Sequence, residues 1–79
     1  MRTAAVLGGG MVGGFMARTL AGGGDFEVIL ADNDPEALAR NRAAAPMETV
    51  AADLSDLSAV AEIASRADMV IGAVPGRMG

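Results

Sequence analysis

Several side chains that carry much of protein chemistry are missing from this sequence of 79 residues: it has no cysteine, histidine, tyrosine or tryptophan, and every basic residue is an arginine. Without cysteine there can be no disulfide and no thiolate metal site, and without histidine a structural zinc site is excluded as well. The lack of lysine rules out the G-K-[ST] ending of a P-loop, which needs that ammonium to reach the outer phosphates of a nucleotide. A net charge of -4 and a pI near 4.4, with no basic stripe and no Lys, Tyr or Trp to clamp or stack a strand, argue against nucleic acid as a partner. Nor does any unbroken apolar run approach the ~18 residues of a membrane span. The expectation is a soluble chain with no membrane partner.

What is present is apolar and small. Hydrophobic residues make up 52% and mean hydropathy is +0.39, but alanine supplies much of that. A chain of this length is one small domain at most, and a domain near this size buries only about 60% of its unfolded surface. Met1-Arg2-Thr3 followed by apolar residues has the outline of a secretory signal, with Ala17 to Ala21 as a small-residue exit. Five glycines at positions 8, 9, 10, 13 and 14 interrupt that apolar segment, and a glycine turn accounts for their spacing. A cytoplasmic location is the expectation.

The turn is Gly8-Gly9-Gly10-Met11-Val12-Gly13-Gly14, which follows the apolar run Ala4 to Leu7. Gly8, Gly10 and Gly13 fill the three glycine positions of G-x-G-x-x-G. In that motif the first glycine turns the chain off a strand and the second lets a pyrophosphate approach the backbone. The third lets the helix lie close on the strand. The helix that begins there aims unpaired N–H groups and the positive end of its dipole at the ligand.

Short apolar runs alternate with helical patterns along the whole chain. Strands are expected at Thr3 to Leu7, Val28 to Ala31, Glu48 to Ala52 and Met69 to Val74. Between them, Met11 to Ala21 reads as a helix with Val12, Phe15, Met16 and Leu20 on its sheet-facing side. Gly22-Gly23-Gly24 ends it. A second helix, from Pro35 to Ala44, has Asp34 as its cap and Leu38 as its one large apolar residue. A third, capped by Ser55 or Asp56, keeps Leu57, Val60, Ala61 and Ala64 at helical spacing. This alternation predicts an α/β doubly wound parallel sheet of Rossmann type with strand order 3-2-1-4. The order reverses between strands 1 and 4, and ligands of such sheets bind beyond the carboxyl ends there. An apolar fourth strand would be left as an open edge, which natural proteins avoid. On that ground residues 1–79 read as the N-terminal, dinucleotide-binding part of a longer protein, incomplete without the strands that follow.

Asp32 ends the second strand, 19 residues after Gly13. A carboxylate there accepts hydrogen bonds from the adenosine ribose hydroxyls and repels a 2′-phosphate, which selects NAD over NADP. Asn33 and Asp34 stand where a cation would be needed to hold that phosphate. The alternative for Asp32 is to cap the turn or the next helix. Asp53, at the end of strand 3, can meet the adenine edge with Leu54 against its face, or simply serve its own turn. A SAM-type loop would need glycine at Val12, whereas FAD shares the fingerprint in its adenine half.

Val6-Leu7-Gly8-Gly9-Gly10-Met11-Val12-Gly13, Ala31-Asp32, Ala52-Asp53-Leu54-Ser55-Asp56 and above all Ala67-Asp68-Met69-Val70-Ile71-Gly72-Ala73-Val74-Pro75-Gly76 together resemble the N-terminal domain of the saccharopine dehydrogenase family, including its lysine 6-dehydrogenase-like members. The resemblance spans the chain and is most specific in the fourth strand ending Val-Pro-Gly. It implies an oxidoreductase acting at an amino-acid C–N bond, with hydride passing between the substrate carbon and a nicotinamide. It also implies that Met11 and Val12 give amides to the pyrophosphate, that Asp32 holds the ribose, and that Val74, Pro75 and Gly76 line the nicotinamide ribose. C–N oxidation needs an acid or base and a group to hold the substrate carboxylate. This chain has no His, Lys, Cys or Tyr for the first task; for the second, Arg77 at the crevice mouth is a candidate, but it reads more readily as a solvated loop residue. In the family those groups, and the small amino-acid-like substrate, belong to a following domain. The chain alone is therefore expected to bind dinucleotide without turnover, and a homo-oligomer stays open to it. A different reading is an NAD-sensing regulatory module of the kind that gates potassium uptake. Such modules share the loop and the acid of strand 2 but carry a glycine-acidic pair where this chain has Ala52-Asp53, and lack the Pro-Gly.

Overall fold

A strand buried on both faces cannot alternate polar and apolar residues. That is how β1 (Arg2–Leu7) and β2 (Phe26–Asp32) read: Ala4, Ala5 and Val6 are buried in succession, as are Val28, Ile29, Leu30 and Ala31. The computed structural model describes residues 2–8 and 11–72. The remaining elements are α1 (Met11–Gly23), α2 (Pro35–Ala44), β3 (Glu48–Ala51), α3 (Leu57–Ser65) and β4 (Met69–Gly72). All strands pair in parallel in the order β3-β2-β1-β4. The expected doubly wound α/β topology is therefore the one observed.

Register aligns the carboxyl ends. Leu7 of β1 lies opposite Ala31 on one side and Gly72 on the other, and Asp32 lies opposite Ala51. One face of the sheet is covered by α1 and α2, where Ala17, Ala21 and Leu38 meet Val6, Val28 and Leu30. The other is covered by α3, whose Ile63 meets Ala5, Ile29 and Ala31. Asp68 ties the start of β4 to β1: its carboxylate accepts from the Thr3 N–H at 2.8 Å, and its own N–H donates to the Thr3 carbonyl at 2.8 Å.

The helix ends follow local chemistry. Asp34 caps α2 by accepting from the Glu36 N–H at 3.0 Å, and Pro35 takes the first helical position. Asp56, rather than Ser55, caps α3, accepting from the N–H groups of Ser58 and Ala59. Of the three glycines after α1, the first two continue the helix, and Gly24, at φ 80°, is the one that leaves it.

Two helix faces differ from the periodicity. Phe15 is 62% exposed. The side of α1 that is buried carries Gly13, Gly14, Ala17 and Ala21, and Phe15 lies two residues, about half a turn, from both Gly13 and Ala17. Small residues let α1 approach the sheet and α2 closely, which a ring at that interface would prevent. In α3 the buried side chain is Ile63, flanked by half-buried Val60 and Ala64, while Ala61 is exposed and Leu57 is 81% exposed. A hydrophobic stripe counted from Leu57 starts too early, because α3 opens with Leu57 and Ser58 exposed and its packing begins at half-buried Ala59 and Val60. β2 is also longer than its apolar center, since Phe26, Glu27 and Asp32 join the ladder.

Candidate functional site

The site begins where β1 ends. Gly8 has φ 105°, a backbone conformation that only glycine adopts without strain, and its N–H donates to the Ala31 carbonyl at 2.7 Å. That bond fastens the start of the glycine turn to the end of β2. After the turn α1 starts at Met11, with no acidic side chain in its first turn to oppose an anion at its amino end. Met11, Val12 and Gly13 thus stand in the first turn, and Gly13 is buried.

Beside the turn, Asp32 is half-buried at the last position of β2. Its Oδ1 accepts from the Asp34 N–H at 2.9 Å, and its carbonyl accepts from the Ala52 N–H at 2.9 Å. The second bond links the end of β2 to the residue before Asp53. Asp53 is exposed, and its Oδ1 accepts from both the N–H and the Oγ–H of Ser55, at 2.9 and 2.6 Å. These bonds, the hydroxyl first, hold its carboxyl below the usual carboxylate value. Leu54 is half-buried against the Ala5, Ile29, Ala31 and Ile63 cluster. Gly8, Met11, Val12, Gly13, Asp32, Asp53 and Leu54 are therefore gathered at the carboxyl end of the sheet. Gly10, Val74, Pro75 and Gly76 lie outside the described residues, as does Arg77.

This arrangement suits a dinucleotide: a glycine turn, a helix amino end without a competing acid, and a hydrogen-bonding carboxylate on the neighboring strand. Asn33, Asp34 and Glu36 are exposed around Asp32, and no arginine occurs before Arg40 in that segment. Among the described residues no group of acidic side chains is placed to hold a metal ion, and no helix is long and apolar enough to cross a membrane. A cavity of about 550 Å³ lies at the opposite end of the strands, lined in part by Thr3, Phe26, Met47, Glu48 and Arg66. It is far in the fold from the glycine turn and belongs to no part of this site.

One group has no counterpart in the residues singled out from sequence. Asn41 of α2 is 1% exposed, and among the described residues it is the only buried polar side chain. Its Oδ1 accepts from Arg18 Nη1 of α1 at 2.5 Å, and its Nδ2 donates to the Ala37 carbonyl at 2.8 Å. A Cβ added to Gly14 would come within 2.7 Å of Asn41 Oδ1. The signal in the sequence was the spacing of Ala37, Leu38 and Asn41, which puts an amide on the buried stripe of α2.

Comparison with solved structures returns the same architecture. The apo form of saccharopine dehydrogenase (L-Glu forming) from Saccharomyces cerevisiae superposes with a TM-score of 0.84 at 24% identity, over 95% of this chain and 17% of that one. N5-carboxyaminoimidazole ribonucleotide synthetase from Thermotoga maritima gives a TM-score of 0.74 at 23% identity, over 94% of this chain and 19% of that one. At these identities the likeness is one of fold, and the chain spans less than a fifth of either protein. No curated protein sequence matches it. The family model described as the saccharopine dehydrogenase NADP binding domain matches residues 4–78, nearly the whole chain. With that match and the site geometry together, the chain belongs to the saccharopine dehydrogenase NADP-binding domain family, a domain that binds a nicotinamide dinucleotide.

Proposed function

We propose that this chain supplies the cofactor half of an amino-acid dehydrogenase that works at a C–N bond, and that it takes NAD in preference to NADP. The bound nicotinamide would supply the hydride acceptor. Residues of the chain would do the holding: the backbone of Gly8, Gly10, Met11, Val12 and Gly13 around the pyrophosphate, Asp32 at the adenosine ribose, and Asp53 with Leu54 on the adenine side. Val74, Pro75 and Gly76 would complete the nicotinamide side. Substrate and acid–base groups would come from a further domain, since the chain has no His, Lys, Cys or Tyr. A cytoplasmic setting fits that chemistry.

The observation that carries the choice of cofactor is the turn after β2. Asp32 and Asp34 occupy it in succession, joined by the Asp34 N–H, with Glu36 following and no cation between them. A 2′-phosphate placed there would face carboxylates instead of an arginine. The family's name points to NADP, so the preference is a property argued for this chain from its own residues. Titration calorimetry with the two cofactors decides it. NAD is expected to bind at least about tenfold more tightly, a difference of about 1.4 kcal/mol, and Asp32→Ala should remove most of that margin. Equal affinity for NADP, or an Asp32→Ala chain that binds NAD unchanged, would overturn the assignment.

A further inference from the structure

In the dinucleotide reading the phosphates would face the amino end of α1, and the ribose would meet Asp32 at the end of β2. Asp32 is fixed through the Asp34 N–H, and Asp34 is the cap of α2. The β1–β2 ladder and the Gly8 N–H on the Ala31 carbonyl fix the ends of the two strands, and how α1 and α2 sit on each other sets where the α1 amides lie relative to Asp32.

Most of what joins α1 and α2 is alanine-sized and apolar, through Ala17, Ala21 and Leu38 on the shared core. Apolar contact is non-directional and permits sliding. The exception is Asn41. It is 1% exposed, takes the Arg18 guanidinium of α1 on its Oδ1, and spends its Nδ2 on the Ala37 carbonyl of α2. A Cβ on Gly14, in the first turns of α1, would meet Asn41 Oδ1 at 2.7 Å, so the two helices touch at that point with no room for a side chain. Gly14 is three residues, about 4.5 Å along the axis, from the start of α1 at Met11. A buried polar group bonded through both its oxygen and its nitrogen can select one packing register among several of similar apolar content.

We propose that Asn41, with Arg18 and Gly14, is a positioning device for the cofactor: it fixes the register of α1 on α2 and thereby the spacing between the pyrophosphate amides and Asp32. The device touches no part of the dinucleotide. It rests on the dinucleotide reading above, and it predicts a split that loss of stability alone does not produce. A ligand spanning both helices should depend on Asn41, whereas adenosine, which reaches only the Asp32 side, should not.

The test uses the full chain with NAD and with adenosine, by calorimetry for the first and NMR shift titration for the second. In Asn41→Leu, which keeps the branched shape and removes both the acceptor and the donor, NAD affinity is expected to fall about tenfold, about 1.4 kcal/mol, while adenosine affinity stays within about twofold of the parent. Arg18→Met should show the same split, and Arg18→Lys, which restores a donor, should recover NAD affinity. The Arg18 pair decides the matter if Asn41→Leu does not fold. Unchanged NAD affinity in the folded variants, or equal losses for NAD and adenosine, would overturn the proposal. If the parent chain binds neither NAD nor NADP, the dinucleotide reading itself fails, an outcome distinct from a parent that binds and a variant that does not care.

Discussion

On the face of the sheet under α1 and α2, Val6, Leu30 and Ala17 have no exposed surface, and the one buried polar side chain described, Asn41, is bonded through both its oxygen and its nitrogen. Under α3 the helix contributes a single buried side chain, Ile63, and its first turn leaves Leu57 81% exposed. Most of the elements that would carry cofactor are on the first face or at its rim: the glycine turn, the start of α1 and the cap of α2; Leu54, with Asp53 before it, is on the second. The difference teaches where packing accuracy is spent. A pyrophosphate cradle made of backbone amides tolerates little displacement, and small residues at the α1–α2–sheet junction supply the close approach that holds it. Nothing described under α3 has such a demand on it.

Core truncation tests that contrast most strongly. Leu30→Ala opens a cavity under α1 and α2 with no route to collapse, and a loss of about 4 kcal/mol is expected, near the upper part of the range for Leu→Ala. Ile63→Ala should cost about 2 kcal/mol, because α3 is held by little else and can settle onto the sheet. Urea unfolding of the two variants measures both. Equal losses would mean that the faces are packed alike and that the contrast is only one of exposure.

Glycine replacement gives a smaller effect and, unusually, one of opposite sign at two positions in one helix. Alanine is the better helix former by about 0.5–1 kcal/mol, so Gly22→Ala, with open space around its Cβ, should stabilise by about that much. Gly14→Ala pushes into Asn41 on the tight face, and an overpacking loss of about 1–3 kcal/mol is expected instead. A Gly14→Ala chain that gains stability would show that α1 and α2 can separate without cost.

How much of this was legible beforehand depends on whether the signal was local. Strand order, the Asp34 cap and the Pro35 start follow from residues that settle their own conformation, and the structure has them as expected. Phe15 was misplaced because periodicity rewards bulk, while the buried side of α1 is built of glycine and alanine, which carry little hydrophobic weight in a pattern count. Leu57 was misplaced because spacing along a helix does not say where the helix leaves the sheet. Asn41 reads as solvated, as an asparagine in a helix usually is, and the Arg18 that meets it stands 23 positions away. The turns after β2 and β3 look alike in sequence, each with an aspartate whose Oδ1 accepts an N–H two residues on. Only the sheet distinguishes them, since β2 is central and joined to the glycine turn by the Gly8 N–H, whereas β3 is an edge.

That pair of turns also gives the smallest measurable difference between the two faces. Before α3, Asp53 takes two bonds from Ser55, and they favor its charged form. Its folded-state value is lowered, so whatever stability it adds is present above the ordinary carboxylate range and is lost as pH falls through the lowered value. Asp53 is exposed, so solvent screens the effect and the change in global stability should be slight. The titration itself is the better readout. Carbon-detected NMR should place the Asp53 midpoint below the usual range for aspartate, and Ser55→Ala should raise it by removing the hydroxyl, the larger of the two causes. The backbone bond survives that substitution, so the return should be partial. A midpoint unmoved by Ser55→Ala would show that the hydroxyl prefers water to Asp53. The Asp53 carboxylate would then hold the turn into α3 through the Ser55 N–H alone, beside the Asp56 N–H on the Asp53 carbonyl.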